Sequence, residues 1–527
     1  MHHGRKNYFW LVLVIVILAG FFRLYKIDSI PPGLYPDEAM NGSNALQALE
    51  TDNFKAFYPE NNGREGMFIN LQAISVSVFG NHAWALRIVS AFAGILTVLG
   101  LYFLTKELFA RQIGLIASFL LAVSFWHVNF SRIGFRAIMA PLFLVWMLYF
   151  LWRGMSTTHK LPYILSGIML GLGFQTYISF RIMPLVLLLV VCAYLDFIKK
   201  DFAKIKPDSY RLLKNKLFKG LLAMVIAATI VLMPLLAYFA SHPEDILGRT
   251  SQISIFSTTN PIKVLVVNTF QTLAMFNFAG DNNWRHNISG VPQLVWPIGI
   301  FFVIGLFFSI YKMIKMRRIP HEMEIRSEPS RSRTGRAHGH FSTAHTLLLS
   351  TFIVGLLPVV ISSEGLPHAL RAIIVVPIVY IFAAQGMWHF FEKLKDWYSL
   401  RDPHIRERIL VSAFVIVVLL ISIAFVEYDR YFNQWGRNLA VASEFNASYS
   451  KLADKLNHLP TTIKKYVVVA PRGGARVNGL SLDAQPIMFL TDTNTPSKQK
   501  AKNIYYITTE QFRAGEYDRD SLILPLK

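Results

Sequence analysis

The sequence is poor in cysteine and in charged residues, and each shortage excludes a class of protein. It has 527 residues and one cysteine, Cys192, so an intrachain disulfide is excluded and cysteine usage does not indicate the compartment. Only 16% of the residues are charged, against about a quarter in soluble globular proteins. Hydrophobic residues make up 53% of the chain. This composition excludes intrinsic disorder, collagen and coiled coils, and it predicts that lipid is the solvent for most of the chain.

Acidic residues are also scarce, with 32 against 53 basic residues and a net charge of +21. Such an excess occurs in nucleic-acid-binding proteins, but here the densest basic runs, 199–220 and 317–336, lie between apolar runs. We therefore interpret them as membrane topology signals that contact solvent and lipid headgroups. Nucleic acid is not an expected partner.

Eleven apolar runs approach the length of about 20 residues that a helix needs to cross a bilayer. A shorter run at 67–80 is interpreted as an interfacial or re-entrant helix. The eleven runs cover approximately 8–25, 84–105, 113–129, 137–153, 161–178, 181–198, 219–240, 294–314, 345–362, 372–391 and 409–426.

The distribution of basic residues predicts the orientation. With the N-terminus inside, the inner loops contain 27 Lys and Arg residues and the outer loops contain 11. Since positive loops stay in the cytoplasm, we expect a multi-pass protein of the plasma or inner membrane with a cytoplasmic N-terminus and an outer C-terminus.

The chain divides into a transmembrane module, 1–426, with large outer loops at 26–83 and 241–293, and an outer tail, 427–527. The tail has a helical pattern at 438–457, followed by the strand-like runs YVVVA, PIMFL, NIYYITT and SLILPL. Alternating helix and strand signals predict a small α/β domain. The fold class is thus an all-α polytopic membrane protein with about eleven transmembrane helices and a small C-terminal extracytoplasmic α/β domain.

The unusual polar residues fall on the predicted outer face. Asp37 and Glu38 follow the first span by about a dozen residues and precede a helix-compatible segment, where a helix N-terminus favours acidic groups. Capping alone explains such a pair about as well as catalysis does. One arginine at a span end is explained by snorkelling, but arginines in several outer turns together predict a cationic pocket for a lipid-linked phosphate. The candidate pocket residues are Arg64, Glu65, Arg132, Arg136, Tyr177 and Arg181.

Two further outer segments, 279–294 and 362–377, are rich in polar groups. They contain Arg285, His286, His368 and Arg371 as candidate binding residues. The histidines lack the spacing of a known metal motif, so hydrogen bonding is the favoured role for them. A divalent metal held by Glu38 or by a histidine stays open as an alternative.

In their order along the chain, seven segments resemble the GT-C superfamily of integral-membrane glycosyltransferases. They are most similar to family 39, the dolichyl-phosphate-mannose protein mannosyltransferases and the lipid A aminoarabinose transferases. The segments are YPDEAMNG, NNGREGMF, ALRIVSAFAGILTV, SFWHVNFSRIGFRA, TYISFR, GDNNWRHNISGVP and PHALRAIIVVP.

The resemblance implies the GT-C fold, a polyprenyl-phosphate sugar donor, an extracytoplasmic active site and inversion at the anomeric carbon. It implies that Asp37 is the catalytic carboxylate, with Glu38 as a companion. The chemistry agrees, because a phosphate leaves as a stable anion and a single base that deprotonates an acceptor hydroxyl is then sufficient. A protein, a lipid or a glycan remains open as the acceptor.

Two other functions fit the hydropathy. A transporter or lipid flippase is the main alternative, although transporters concentrate ionisable residues near the bilayer midplane, and the predicted spans are almost free of charge. A surface receptor that uses the outer tail is the third, and it would not need eleven spans.

Overall fold

The computed structural model describes residues 2–202, 207–246, 254–318, 332–363, 365–399, 405–470, 476–477 and 479–526. Up to residue 428, the described elements are mainly helices. Their bounds are α1 His2–Leu24, α2 Pro36–Thr51, α3 Gly66–Phe79, α4 Ala83–Leu108, α5 Arg111–Val123, α6 Phe125–Phe130, α7 Met139–Thr157, α8 Lys160–Phe174, α9 Met183–Phe202, α10 Pro207–Ser241, α11 Pro261–Asn277, α12 Trp296–Arg318, α13 Ser332–Val360, α14 Val376–Ser399 and α15 Ile405–Tyr428.

All eleven predicted apolar runs fall on helices. In the part of the chain that the structure describes, seven helices are long and apolar enough to cross a membrane. The other four runs lie on α1, the α5–α6 pair, α8 and α15. Run 113–129 is divided because α5 ends at Ser124, whose hydroxyl accepts the backbone N–H of His127 at 3.3 Å and caps α6. These helices make the chain a multi-pass membrane protein.

The expectation of almost charge-free spans is only partly correct. Arg23, Arg87 and Glu427 are fully buried and lie within α1, α4 and α15. Each is close to one end of its helix, where loop carbonyls or a partner charge are within reach. Arg87, for example, donates to the backbone carbonyls of Pro31 and Gly33, both at 2.7 Å. Ends of helices can therefore hold ionised groups that the middle of a span excludes.

The first loop positions the candidate site. Its strands, β1 Phe57–Tyr58 and β2 Arg64–Glu65, pair antiparallel. The turn between them contains Asn61, Asn62 and Gly63, with φ of 53°, 64° and 78°. Asparagine and glycine tolerate this left-handed region better than other residues do, so the local sequence explains the turn. The predicted helix behind Asp37 is α2, and both acids lie in its first turn.

The tail contains the predicted α/β arrangement. A three-stranded parallel sheet has the order β6-β3-β7, and a separate two-stranded pair is formed by β4 and β5. The elements are α16 Leu439–Glu444, α17 Ala447–His458, β3 Lys465–Val469, β4 Arg476–Val477, β5 Leu480–Ser481, α18 Gln485–Leu490, α19 Pro496–Lys502, β6 Ile504–Thr508, α20 Thr509–Arg513 and β7 Leu522–Pro525.

One strand expectation in the tail is wrong, because the run PIMFL (486–490) lies in α18. Pro486 is in the first turn of that helix, where its missing N–H costs nothing. Ile487, Met488 and Phe489 are all buried, so a short helix presents several consecutive apolar residues to two different partners. An apolar run of five residues does not separate a strand from a buried helix.

The tail packs directly on α2. A Cβ atom added to Gly42 would lie 2.5 Å from the ring of Phe489, so this close approach requires glycine. Next to it, the hydroxyl of Ser43 donates to Oε1 of Gln485 at 2.8 Å. At the far end of α2, Lys498 forms an ion pair with Glu50. The helix that begins beside Asp37 is thus fixed from the tail side.

Candidate active site

A cavity of about 270 Å³ opens among the first loop, the turns after α6 and α8, and segments near residues 245 and 370. Its lining contains four arginines and three acids, so its formal charge is slightly positive. The predicted residues that meet around it are Asp37, Arg64, Glu65, Arg136, Tyr177, Arg181 and Arg371. The sequence places these residues in five separate segments, and the fold brings them to one space.

Asp37 is partly buried at the N-terminal turn of α2 and lines the cavity. Asn61, from the β1–β2 turn, donates its side-chain amide to one carboxylate oxygen of Asp37. The phenol of Tyr35 also hydrogen-bonds this carboxylate. Burial, and secondly the charge of Asp37, raise the pKa of Tyr35, so the phenol remains a neutral donor. Two donors therefore orient a carboxylate that still faces open space.

Arg64 lies on the floor of the cavity and is 3% exposed. Its guanidinium donates to Oδ1 of Asn41 at 2.6 Å and to Oδ1 of Asn44. Burial, and secondly the neighbouring Arg136 guanidinium, lower the pKa of Arg64 to about 10. The side chain is therefore still cationic at neutral pH, and neutral amides hold it without cancelling its charge.

Glu65 bridges two other arginines of the cavity. One of its oxygens lies 3.0 Å from Nε of Arg136, and the other lies 3.2 Å from an Nη of Arg181. The two arginine side chains are 23% and 28% exposed, whereas that of Glu65 is 3% exposed. The guanidinium of Arg136 also stacks on Tyr177 at 5.9 Å. Glu65 thus fixes two guanidinium groups, each of which has further N–H donors for an anion.

Glu38 does not line the cavity, so the role of catalytic companion does not fit its position. It is fully buried and forms an ion pair with Arg87, in which Nε lies 3.0 Å from Oε1. Its Oε1 also accepts the backbone N–H of Gly134 at 2.6 Å. These bonds join α2, α4 and the turn after α6, which is a structural role.

Arg132 also differs from the expectation of a phosphate contact. It is fully buried, and its guanidinium donates to the carbonyls of Phe22, Lys26 and Ile30 at 2.9–3.0 Å. Those carbonyls lie in the last turn of α1 and in the residues just after it, so Arg132 fixes the end of the first span. Backbone acceptors occupy the donors that a phosphate would need.

Arg285 lies on the other side of Tyr35. Its guanidinium stacks over the Tyr35 ring at 4.5 Å, and its Nε is 3.3 Å from Glu444 of α16. The loop 279–294 is therefore connected to Asp37 through Tyr35. Arg285 supports the ring whose hydroxyl orients the carboxylate.

His286 and His368 are separated in sequence and adjacent in space, with ring centroids 5.0 Å apart. Both face Asp281, whose Oδ2 is 2.9 Å from Nδ1 of His286 and 4.0 Å from Nδ1 of His368. In the described residues, these three side chains are a group with metal-ligating potential. They are absent from the lining of the cavity.

Sequence reasoning missed three residues that shape the sites: Asn61, Arg87 and Asp281. The dipeptide Asn62-Gly63 is a hairpin signal and would have predicted a turn close to Asp37. Arg87 stands within an apolar run, where a buried charge needs a partner, and this could have directed attention to Glu38. The sequence did not distinguish Asp281 from the other polar residues of its segment.

Comparison with known proteins connects this geometry to a family. Residues 67–238 match the family model described as dolichyl-phosphate-mannose-protein mannosyltransferase. YkcB of Bacillus subtilis, described as a candidate mannosyltransferase, is 24% identical over 207 residues. That match covers 38% of this chain and 29% of YkcB, so less than a third of the relative is represented.

Solved structures extend the likeness in fold to nearly the whole chain. The oligosaccharyltransferase of Archaeoglobus fulgidus has a TM-score of 0.53 at 14% identity, covering 94% of this chain and 64% of its own. ArnT of Cupriavidus metallidurans has a TM-score of 0.52 at 11% identity, covering 99% and 90% respectively. The chain is therefore a polytopic membrane protein of the GT-C fold, and its residues 67–238 are similar to the dolichyl-phosphate-mannose-protein mannosyltransferase family.

Proposed function

We propose that the protein is a membrane glycosyltransferase that moves a sugar from a polyprenyl-phosphate donor to an acceptor hydroxyl on the extracytoplasmic face. The observation that carries this proposal is the single cavity that contains Asp37 together with Arg64, Arg136 and Arg181. A base beside cationic groups is what this transfer requires. A glycoside hydrolase would also need a carboxylic acid that protonates its alkoxide leaving group, whereas here Glu65 is paired with two arginines and Asp245 accepts the hydroxyl of Tyr238 at 2.7 Å.

The reaction is a single displacement. Asp37 takes the proton of the acceptor hydroxyl while the hydroxyl oxygen forms a bond to the anomeric carbon. The bond between that carbon and the phosphate oxygen breaks on the opposite face, and its electron pair leaves with the polyprenyl phosphate. The product is a glycoside of inverted configuration, and the proton remains on the Asp37 carboxyl until water removes it.

The arginines supply the electrostatic part of the reaction. Negative charge increases on the phosphate oxygens as the sugar departs, and fixed guanidinium groups stabilise that charge more than they stabilise the ground state. Glu65 holds Arg136 and Arg181 in place before the donor arrives, so little reorganisation is needed. Arg64 adds a buried charge to the same space.

The donor class has support from relatives. The ArnT structure contains undecaprenyl phosphate, and another structure from Archaeoglobus fulgidus, of AglB, contains a dolichol-phosphate and an inhibitory peptide. A lipid-linked phosphate also suits a site between membrane helices and water. The excess of basic residues in the opposite loops supports the outer location of the cavity.

Transfer can be tested with detergent-solubilised protein, a radiolabelled polyprenyl-phosphate sugar and an extract of cell-envelope acceptors. We expect labelled product with the wild type and its loss in Asp37→Asn, whereas Asp28→Asn serves as a matched outer control that retains activity. Full activity of a folded Asp37→Asn would refute the assigned base. Movement of the labelled lipid across liposomes without any product would favour a flippase.

A further inference from the structure

The side chains of Asp281, His286 and His368 form a compact group on two separate segments of the chain. Their potential ligand atoms all lie within 4.8 Å of one another. Asp281 and His286 are 3% and 5% exposed, while His368 is half-buried. The group is therefore shielded by protein on one side and accessible on the other.

The distances agree with those of a tetrahedral metal site. Ligand bonds of about 2.0–2.2 Å in tetrahedral zinc sites separate neighbouring ligand atoms by about 3.3 Å. The two distances from Oδ2 of Asp281, 2.9 Å and 4.0 Å, lie on either side of that value. Shifts of less than about 1 Å would bring three ligands to one centre, and solvent at His368 can provide the fourth.

The surroundings hold the ligands in the required form. The two oxygens of Asp281 accept backbone N–H groups of Asn283 and Ala369, both at 2.8 Å, which fixes the carboxylate plane. Nδ1 of His368 accepts the backbone N–H of Arg371 at 3.4 Å, so this nitrogen is unprotonated, and its lone pair would exchange this long contact for a metal ion. Hydrogen bonds from outside the first coordination layer commonly orient ligands in this way.

We propose that Asp281, His286 and His368 bind a divalent transition metal of the zinc type. Two imidazole nitrogens with one carboxylate oxygen favour zinc over magnesium or calcium, which prefer oxygen ligands. The metal joins the loop 279–294 to the segment that follows residue 365. It has a structural role, and it stands independently of the transfer reaction.

The proposed metal would also restrain two residues near the cavity. Arg285 precedes His286 and stacks on Tyr35, and Arg371 lies three residues after His368 and lines the cavity. Loss of the metal would therefore loosen the two segments that carry Arg285 and Arg371 while leaving Asp37 and Glu65 in place.

Metal content tests the site directly. The full-length protein is purified with a histidine-free tag and without chelator, and its metals are counted by mass spectrometry. We expect about one zinc per chain. After stripping with a chelator, added Zn²⁺ should raise the melting temperature, and Co²⁺ should give the visible d–d absorption of a tetrahedral site.

Variants distinguish this site from adventitious binding. Asp281→Asn, His286→Asn and His368→Gln should each weaken zinc binding at least tenfold. His458→Gln is the matched control, because His458 is an exposed histidine 3.7 Å from Asp454 and the two belong to no three-ligand group among the described residues. It should keep the full metal content.

Wild-type protein that carries no zinc and takes up neither Zn²⁺ nor Co²⁺ after stripping would overturn the proposal. So would a His368→Gln variant with unchanged zinc stoichiometry and affinity. If the variants fail to fold, the stripping, reloading and cobalt spectrum of the wild type decide the matter alone. A stabilising Asp281–His286 hydrogen bond without metal would give the first of these negative results.

Discussion

The cavity and the layer of protein directly behind it use the same residue types in opposite ways. In the cavity, Arg136 and Arg181 are 23% and 28% exposed and share one carboxylate, Glu65. Behind it, Arg87 and Arg132 are fully buried, and backbone carbonyls accept several of their N–H groups. Position on the predicted outer face is therefore insufficient to assign an arginine to a ligand. The partners of each guanidinium separate a binding group from a structural one.

The same division separates two consecutive residues. Asp37 faces the cavity, and Glu38 points to the interior and pairs with Arg87. Successive residues of a helix point about 100° apart, so an acidic pair at the start of α2 reaches both regions. The comparison predicts that one acid governs the reaction and the other governs folding.

The largest expected effect is on activity at Asp37. Asp37→Asn removes the proposed base and should lower the transfer rate by about 10²–10⁴-fold, because general base catalysis contributes that much. The melting temperature should change little, since asparagine fills the same space and keeps one acceptor oxygen. Rate and thermal stability are measured on the same preparation. A large loss of stability would place Asp37 with the structural acids.

Glu38→Gln should mainly affect stability. Breaking a buried ion pair leaves an uncompensated charge and typically costs about 3–5 kcal/mol. The expected sign is a lower midpoint of thermal or denaturant unfolding in detergent. The double variant Glu38→Gln/Arg87→Met is the control, and it should recover part of the loss because no charge is left unpaired. A Glu38→Gln variant that unfolds at the same midpoint as the wild type would contradict the structural role of Glu38.

Arg136→Ala and Arg181→Ala should weaken binding of the lipid-linked donor by about tenfold to a hundredfold. A charge-assisted hydrogen bond contributes about 1.5–3 kcal/mol, and about 1.4 kcal/mol corresponds to a factor of ten. Affinity for the donor is measured by titration, in parallel with that for the acceptor. Arg437→Ala, at an exposed position of the tail, is the matched control. Equal losses for donor and acceptor would remove the arginines from the phosphate site.

The smallest expected effect is at Glu444. Its ion pair with Arg285 joins side chains that are 43% and 23% exposed, and such pairs contribute about 0–1 kcal/mol. Glu444→Gln should therefore change the melting temperature marginally and the transfer rate by less than about threefold. A loss comparable to that of Asp37→Asn would show that the stack of Arg285 on Tyr35 depends on this charge.

Much of this architecture follows from local sequence. Long apolar runs predict helices because backbone N–H and C=O groups in lipid must hydrogen-bond to one another. All eleven runs lie on helices. The outer polar residues around Asp37 could be found from their positions between runs. The division of the arginines could not be predicted, because the carbonyls that bind Arg132 come from residues about a hundred positions away. The orientation of Glu38 could not be predicted either, because its partner Arg87 lies inside an apolar run.

In the tail, short apolar runs of similar hydrophobicity adopt different secondary structures. YVVVA and NIYYITT become neighbouring parallel strands, as β-branched and aromatic residues favour. PIMFL has similar hydrophobicity but becomes helical, because its residues meet both α2 and the tail's own interior. Tertiary contacts decide such a segment, and a single sequence does not contain them.

The ring of Phe489 lies against the backbone of Gly42, so the tail is in direct contact with the helix that carries Asp37. Because Gly42 has no side chain, Phe489 contacts the backbone of α2 directly, and a displacement of α18 would move α2 as well. Asp37 is the second residue of α2. A macromolecule that binds only the tail would in this way change the orientation of the Asp37 carboxylate. Under the proposed function, an acceptor that is large enough to contact the tail would therefore affect the position of the base as well as supply the hydroxyl.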